Sequence, residues 1–282
     1  MSEPSPTQHI NAWLGAFGAA ITRGDATGAA QMFDEDCYWR DLVSFTWNIK
    51  TMEGRPEIQK MLQATAATVK PLNWRVDGEA TEAGGVAEAW ILFETAVARC
   101  KGQIRLKGDK CWTLLTTMVE LKGYEEKKRD TRDKGVEHGV YPGRKNWLER
   151  RAEEEASLGV ATQPYCVIIG GGQGGIGLAA RLKKLGVPTI IVEKNPRPGD
   201  SWRNRYKSLC LHDPVWYDHM PYLPFPDAWP VFSPKDKIGD WLEMYTKVME
   251  LNYWSSTECK QARWNDANQE WEVTVQHKGE TV

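Results

Sequence analysis

Apolar residues recur at helical spacing over the first seventy positions and at alternate positions over the next fifty. Ile10, Trp13, Leu14, Phe17 and Ile21 fall on one face of a helix predicted from His9 to Gly24. Gly24 suits the stop, and Asp25 suits the cap of a second short helix carrying Ala29, Ala30, Met32 and Phe33. Cys37 to Phe45 is strand-like. Gly54-Arg55-Pro56 then opens a helix over Glu57 to Val69, with Ile58, Met61, Leu62 and Thr65 on its face, because proline suits a first turn. After Pro71 the period drops to two. Strands are predicted over Trp74 to Ala80, Val86 to Cys100 and Cys111 to Lys122, separated by Gly84-Gly85 and by Gly102 with Gly108-Asp109. The last two runs would pair as a curved antiparallel hairpin. Helices followed by a meander of strands predict an α+β fold with the helices on one sheet face.

That order, with the helix start at Gly54-Arg55-Pro56, resembles the SnoaL-like or nuclear-transport-factor-2-like cone over residues 8–125. The superfamily includes ketosteroid isomerases, but such cones host enzymes and plain packing modules alike, so the resemblance assigns no chemistry. Asp41 would be a base if desolvated; a solvated or salt-bridged surface carboxylate is the favoured reading. From Gly123 to Gln163 the periodicity dissolves into a mixed-charge run, turn residues and one charged helix over Asn146 to Leu158, with Trp147, Leu148 and Ala152 expected to face inward. Residues 126–163 read as a linker.

A second pattern opens at Tyr165. The short apolar run to Ile169 predicts a buried parallel strand and feeds Gly170-Gly171-Gly172-Gln173-Gly174-Gly175. A helix over Ile176 to Leu185 and a strand over Thr189 to Val192 follow, ending on Glu193-Lys194. Strand, glycine turn, helix, strand and acid together form a dinucleotide fingerprint. Gly170 permits the tight turn, Gly172 lets a pyrophosphate approach the backbone, and Gly175 lets helix and strand pack closely. The free N–H groups and dipole of the helix that follows Gln173, Gly174 and Gly175 then face the phosphates. Glu193 lies 23 residues after Gly170, near the spacing of about 20 for the acid that binds a ribose hydroxyl. A carboxylate there selects FAD or NAD over NADP.

The residues beyond Glu193 favour FAD. Gly199, Trp202 and Arg203 match a Gly-x-x-Trp stretch, and Met220 to Phe232 (MPYLPFPDAWPVF) is followed by a helix over Lys237 to Met249 with Ile238, Trp241, Leu242, Tyr245 and Val248 on one face. These segments resemble the class B flavin monooxygenases, which comprise flavin-containing and plant YUCCA-type enzymes with Baeyer–Villiger relatives, over Tyr165 to Val275. The resemblance implies FAD on a Rossmann-type domain at residues 164–282, with Gly170, Gly172, Gly175 and Glu193 toward its adenosine side and Gln173, Gly174 and Lys194 also binding the cofactor. It also implies that Trp202 and Arg203 lie near the pyrophosphate or flavin ring, and His212 where the chain passes the flavin. In that family NADPH reduces FAD, and one oxygen atom of O2 enters a small organic substrate; the protein supplies orientation and excludes water. No second glycine fingerprint for NADPH occurs, and the hairpin predicted over Trp264 to Val275, with its turn at Asn265 to Asn268, precedes in that family a strand not found here. The expectation is an incomplete, truncated FAD domain with weak FAD affinity and no NADPH-driven turnover. Another FAD-linked oxidoreductase, or a non-catalytic FAD- or partner-binding fragment, stays open as an alternative; no catalytic residue is assigned.

Composition narrows the partners. A net charge of -2 gives no electrostatic case for nucleic acid, and no apolar run suggests a membrane span. MSEPSPTQHI has neither the basic nor the apolar region of a signal peptide. Six scattered cysteines without a CxxC argue against metal and disulfide chemistry and fit a reducing cytoplasm. A homodimer is among the arrangements allowed. Most of the fourteen tryptophans read as buried rings.

Overall fold

The computed structural model of the chain describes residues 4–136 and 138–282; Met1–Glu3 of the amino-terminal stretch and Glu137 of the segment read as a linker lie outside the described residues. The chain divides into two compact units, Met1–Glu125 and Glu126–Val282. Among the described residues no helix is long and apolar enough to cross a membrane.

In the first unit, α1 (Pro6–Thr22) starts on a reciprocal cap. Gln8 N–H donates to Ser5 Oγ and Ser5 N–H to Gln8 Oε1, which satisfies two donors that a helix start leaves open. Asp25 caps α2 (Ala26–Gln31) by accepting from Gly28 N–H at 2.7 Å. Then come β1 (Phe33–Leu42), β2 (Ile49–Glu53), α3 (Gly54–Val69), β3 (Leu72–Val76), β4 (Thr81–Ala83), β5 (Val86–Glu94), β6 (Ala98–Lys107) and β7 (Lys110–Leu121). The sheet runs β2-β1-β7-β6-β5-β3, with β4 on β5; only β1 and β7 pair in parallel. The apolar faces of the three helices close over one sheet face, and Phe17, Phe33, Trp39, Phe45, Trp74 and Phe93 form a continuous set of ring contacts there.

Three expectations are corrected. The run Val86 to Cys100 is two strands, because Thr95 Oγ1 accepts from Ala98 N–H at 3.0 Å and folds the chain back on itself. Gly102 is no boundary: it lies inside β6, where a Cβ would come within 2.0 Å of Leu115 O. Phe33 begins β1 and so leaves the second helix.

In the second unit, α4 (Trp147–Ser157) docks by polar groups, correcting the expected inward apolar face. Trp147 and Leu148 are 46% and 75% exposed and Ala152 is exposed. Trp147 Nε1–H donates to the Glu250 carboxylate, and Asn252 Nδ2–H to Glu154 Oε1 at 3.1 Å. β8 (Cys166–Ile169), α5 (Gln173–Lys184), β9 (Thr189–Val192), α6 (Asp200–Arg203), α7 (Lys235–Val248) and β10 (Tyr253–Trp254) then build an all-parallel sheet in the order β10-β9-β8. This is the βαβαβ half of a doubly wound sheet. β9 is buried throughout, whereas Ile169 on the edge strand β8 is exposed, so only β9 reads as a fully covered strand. Alternation along β9 sends Ile191 toward α5 and α7, and Ile190 and Val192 toward an antiparallel sheet of β11 (Thr257–Asn265), β12 (Glu270–His277) and β13 (Glu280–Thr281). On α7, Ile238, Leu242 and Tyr245 are buried as expected from the pattern, but Val248 is exposed. Of the fourteen tryptophans only Trp13 and Trp39 are buried, while six are at least 40% exposed, which corrects the expectation that most are buried rings.

Candidate functional site

The glycine loop turns sharply off the end of β8. Gly170 takes φ +105°, a backbone conformation that disfavours any side chain, and a Cβ on Gly175 would lie 2.1 Å from Gly170 O. Close approach of α5 to β8 therefore needs both glycines. α5 begins at Gln173, earlier than the sequence suggested, with Gly172 as its N-cap and no side chain capping it. The first N–H groups of such a helix lack partners within it. Gly174 has no atom within 4 Å of its Cβ position, and Gly172 meets only Ser201 Oγ at 3.6 Å and Ser201 Cβ at 4.0 Å. The backbone is thus bare where an anion would approach.

Glu193 sits at the tip of β9 and is buried. Its Oε2 accepts from Gly171 N–H at 2.7 Å, and its Oε1 accepts from Asn195 N–H at 2.8 Å and Asn195 Nδ2–H at 2.6 Å. The acid faces the glycine loop and ties its second residue to the sheet. Lys194 is exposed beside it. Trp202 Nε1–H donates to Gln173 Oε1 at 2.8 Å, placing the indole against the start of α5.

Beyond this contact lies a cavity of about 400 Å³ bordered by Gln173, Trp202, His212 and His219 over a floor that includes Leu211 and Ile238. Phe225 N–H donates to His219 Nδ1 at 3.0 Å, so a neutral His219 carries its proton on Nε2. The structure therefore brings Gln173, Trp202 and His212 around one cavity, with Gly172 and Glu193 at the loop.

Arg203 is directed elsewhere. Its Nη1 donates to Pro198 O at 2.9 Å and Asp200 Oδ1 at 3.0 Å, its Nη2 to Asp240 Oδ1 at 2.9 Å and Glu243 Oε2 at 2.6 Å. The guanidinium is spent tying α6 to α7.

Three residues of this region carry no mark in the sequence reading. Ser201 Oγ is buried with no hydrogen-bond partner among the described residues, and it faces the space beside Gly172. Asn195 holds Glu193. Tyr253 Oη donates to Gly171 O at 3.0 Å; burial, then the charges of Glu193 and Asp200, push its phenol well above the usual range. Ser201 had a signal, two residues after Gly199 inside the Gly-x-x-Trp stretch; Tyr253 had none, since only the fold brings it to the loop.

In the first unit, Asp41 is fully buried, correcting its reading as a surface carboxylate. Ser44 N–H, Ser44 Oγ and Thr116 Oγ1 lie on its Oδ1, and Phe45 N–H, Thr46 N–H and Thr46 Oγ1 on its Oδ2, all within 3.2 Å. The Thr46 hydroxyl is shared with Asn48 O. A carboxylate so surrounded is occupied by its own chain. Among the described residues no cluster of His, Cys, Asp or Glu could hold a metal ion.

No protein-family model matches the chain. Among curated proteins, it is 32% identical over 117 residues to the probable indole-3-pyruvate monooxygenase YUCCA9 of Arabidopsis thaliana, which covers 41% of this chain and 28% of that protein. It is 38% identical over 95 residues to an uncharacterized CzcO-like oxidoreductase of Geobacillus kaustophilus, covering 33% of this chain and 26% of that protein. The chain thus spans roughly a quarter of the length of these relatives. Among solved structures, the flavin-containing monooxygenase from Stenotrophomonas maltophilia aligns with 21% identity and a TM-score of 0.36, over 41% of this chain and 34% of that one. Part of the chain is distantly similar to flavin-dependent monooxygenases.

Proposed function

We propose that the second unit binds FAD through the Gly170–Gly175 loop, and that the protein serves an FAD-dependent, NADPH-using monooxygenase reaction on a small organic substrate with O2. The supporting observation is Ser201. A buried hydroxyl without a partner costs free energy, and this one lies 3.6 Å from the Cβ position of Gly172, at the uncapped start of α5, where Gly174 has open space. A phosphate oxygen seated there would accept from Ser201 and from the N–H groups of Gly172, Gln173 and Gly174. Glu193 retains an acceptor site on Oε2 for a ribose hydroxyl, beside its bond to Gly171. The curated relatives named as monooxygenases add independent support from sequence. FAD, when bound, supplies the redox chemistry.

The chain's own residues orient and enclose. Gln173 and Trp202, held to one another, form a wall between phosphate loop and cavity, while Leu211 and Ile238 keep the floor apolar. Arg203 is read as structural in this account, and Lys194 and His212 as peripheral contacts. The first unit is read as a SnoaL-like cone on its element order, without a catalytic base, because Asp41 is spent.

The deciding experiment titrates the purified chain with FAD and follows flavin fluorescence. Saturable binding that ADP displaces is expected, as is its loss in Gly172→Val, where a branched side chain would fill the phosphate space. A chain that neither retains nor rebinds FAD sinks the reading.

A further inference from the structure

We propose that Tyr253 is a positioning residue for the phosphate loop, aiming the Gly172 N–H at the ligand; this rests on the FAD reading above. Two successive peptide planes at Gly171 are each fixed from the sheet. Glu193 Oε2, at the tip of β9, accepts from Gly171 N–H at 2.7 Å. Tyr253 Oη, from the neighbouring strand β10, donates to Gly171 O at 3.0 Å.

The second contact acts at a distance of one bond. Gly171 C=O and Gly172 N–H belong to one planar unit, and no peptide here is cis, so the two point in opposite directions. Holding the carbonyl toward Tyr253 turns the Gly172 N–H away from that hydroxyl, at the residue whose Cβ position lies 3.6 Å from the unpartnered Ser201 Oγ. Gly171 must lack a side chain for this to happen. A Cβ there would lie 2.0 Å from Tyr253 Oη, although the residue's φ is not one that requires glycine. The second glycine of the run is therefore explained by the tyrosine, and not by the turn. Burial keeps the phenol protonated and able to donate.

Tyr253→Phe in the full 282-residue chain keeps the ring and removes only the donor. Three quantities are read: the melting temperature without ligand, amide hydrogen exchange at residues 170–175 without ligand, and affinity for FAD and ADP. The expected result is a melting temperature lowered by no more than about 2–4 °C, faster exchange confined to the loop, and binding weakened roughly three- to tenfold for both ligands, the scale of one neutral hydrogen bond. Gly171→Ala, whose Cβ would collide with the hydroxyl and with the ring behind it, is expected to loosen the loop and weaken both ligands likewise, with a larger fall in melting temperature. Unchanged exchange and affinity overturn the proposal. So does faster exchange across β8, β9 and β10 in Tyr253→Phe with a melting temperature lowered beyond that range, which makes Tyr253 a packing residue only. If the unsubstituted chain binds neither FAD nor ADP, the cofactor reading falls and takes the ligand role of Tyr253 with it, whereas unaltered exchange in a chain that does bind FAD overturns the positioning role alone.

Discussion

Asp41 and Ser201 are two buried polar side chains in opposite states. Asp41 meets donors on both oxygens, all of them nearby hydroxyls and amides of its own chain. Asp41→Asn would turn an NH2 group toward donors and leave several of them unpaired. A loss of about 2–4 kcal/mol is expected in chemical denaturation, and a variant as stable as the original would show that the network is loose. Ser201 has nothing to lose in the free protein. Ser201→Ala should leave the apo protein as stable as before or up to about 1 kcal/mol more stable, since it removes an unpaired buried hydroxyl, while weakening FAD binding roughly three- to tenfold; a destabilised apo protein with intact FAD affinity would reverse that assignment. Neither state was legible in the sequence. Asp41 looks like any strand carboxylate until the turn at residues 43–46 and Thr116 of a distant strand close around it. Gly170 and Gly175 were legible because their requirement is local, whereas Tyr253 reaches the loop only through the order of the strands; Asn195 lies two residues from Glu193, but nothing in the pattern marks it.

At the scale of elements, periodicity located helices well and strand ends poorly. The α1 stripe and its stop follow from residues within a few positions of each other, so they could be read directly. The break between β5 and β6 depends on one threonine folding Thr95 to Ala98 into a turn, which no apolar pattern marks. Gly102 misled for a related reason: glycine ordinarily punctuates strands, but here it lets β6 approach β7. The partner carbonyl stands 2.0 Å from its Cβ position. Gly102→Ala should therefore cost about 1–3 kcal/mol through backbone displacement, measured by thermal or denaturant melting of residues 1–125. Gly15, on the exposed side of α1 with open space around its Cβ position, is the control. Gly15→Ala should stabilise the same unit by a few tenths to about 1 kcal/mol, since alanine favours helix over glycine. Equal effects at the two positions would mean that strand proximity is not what selects Gly102.

For the whole molecule, each unit holds a buried weak acid that must stay protonated in the folded state. Burial, followed by the charge of Asp41, pushes the Cys100 thiol up from 9.0 to about 12 in the first unit. Burial likewise pushes the Tyr245 phenol from 10.0 to about 12 in the second, where its hydroxyl donates to Pro221 O at 2.5 Å. The unfolded chain releases these protons sooner than the folded one, so folding stability falls as pH rises. The contribution is fully present below the unfolded values and is lost as pH climbs through the folded ones. For Tyr245 the window runs from 10.0 to about 12, and the full effect is about 2–3 kcal/mol. Because the units have separate cores, we expect separate unfolding transitions, resolved by the FAD concentration: saturating FAD should raise only the transition of the second unit. Denaturant titrations at stepped alkaline pH then test both claims together. Tyr245→Phe should reduce the pH dependence of the FAD-sensitive transition, with the share of the buried Tyr253 phenol remaining, and leave the other transition unchanged, because a titrating group is removed from one unit alone. A single transition, shifted as a whole by FAD and by the substitution, would mean that the two cores fold as one cooperative body.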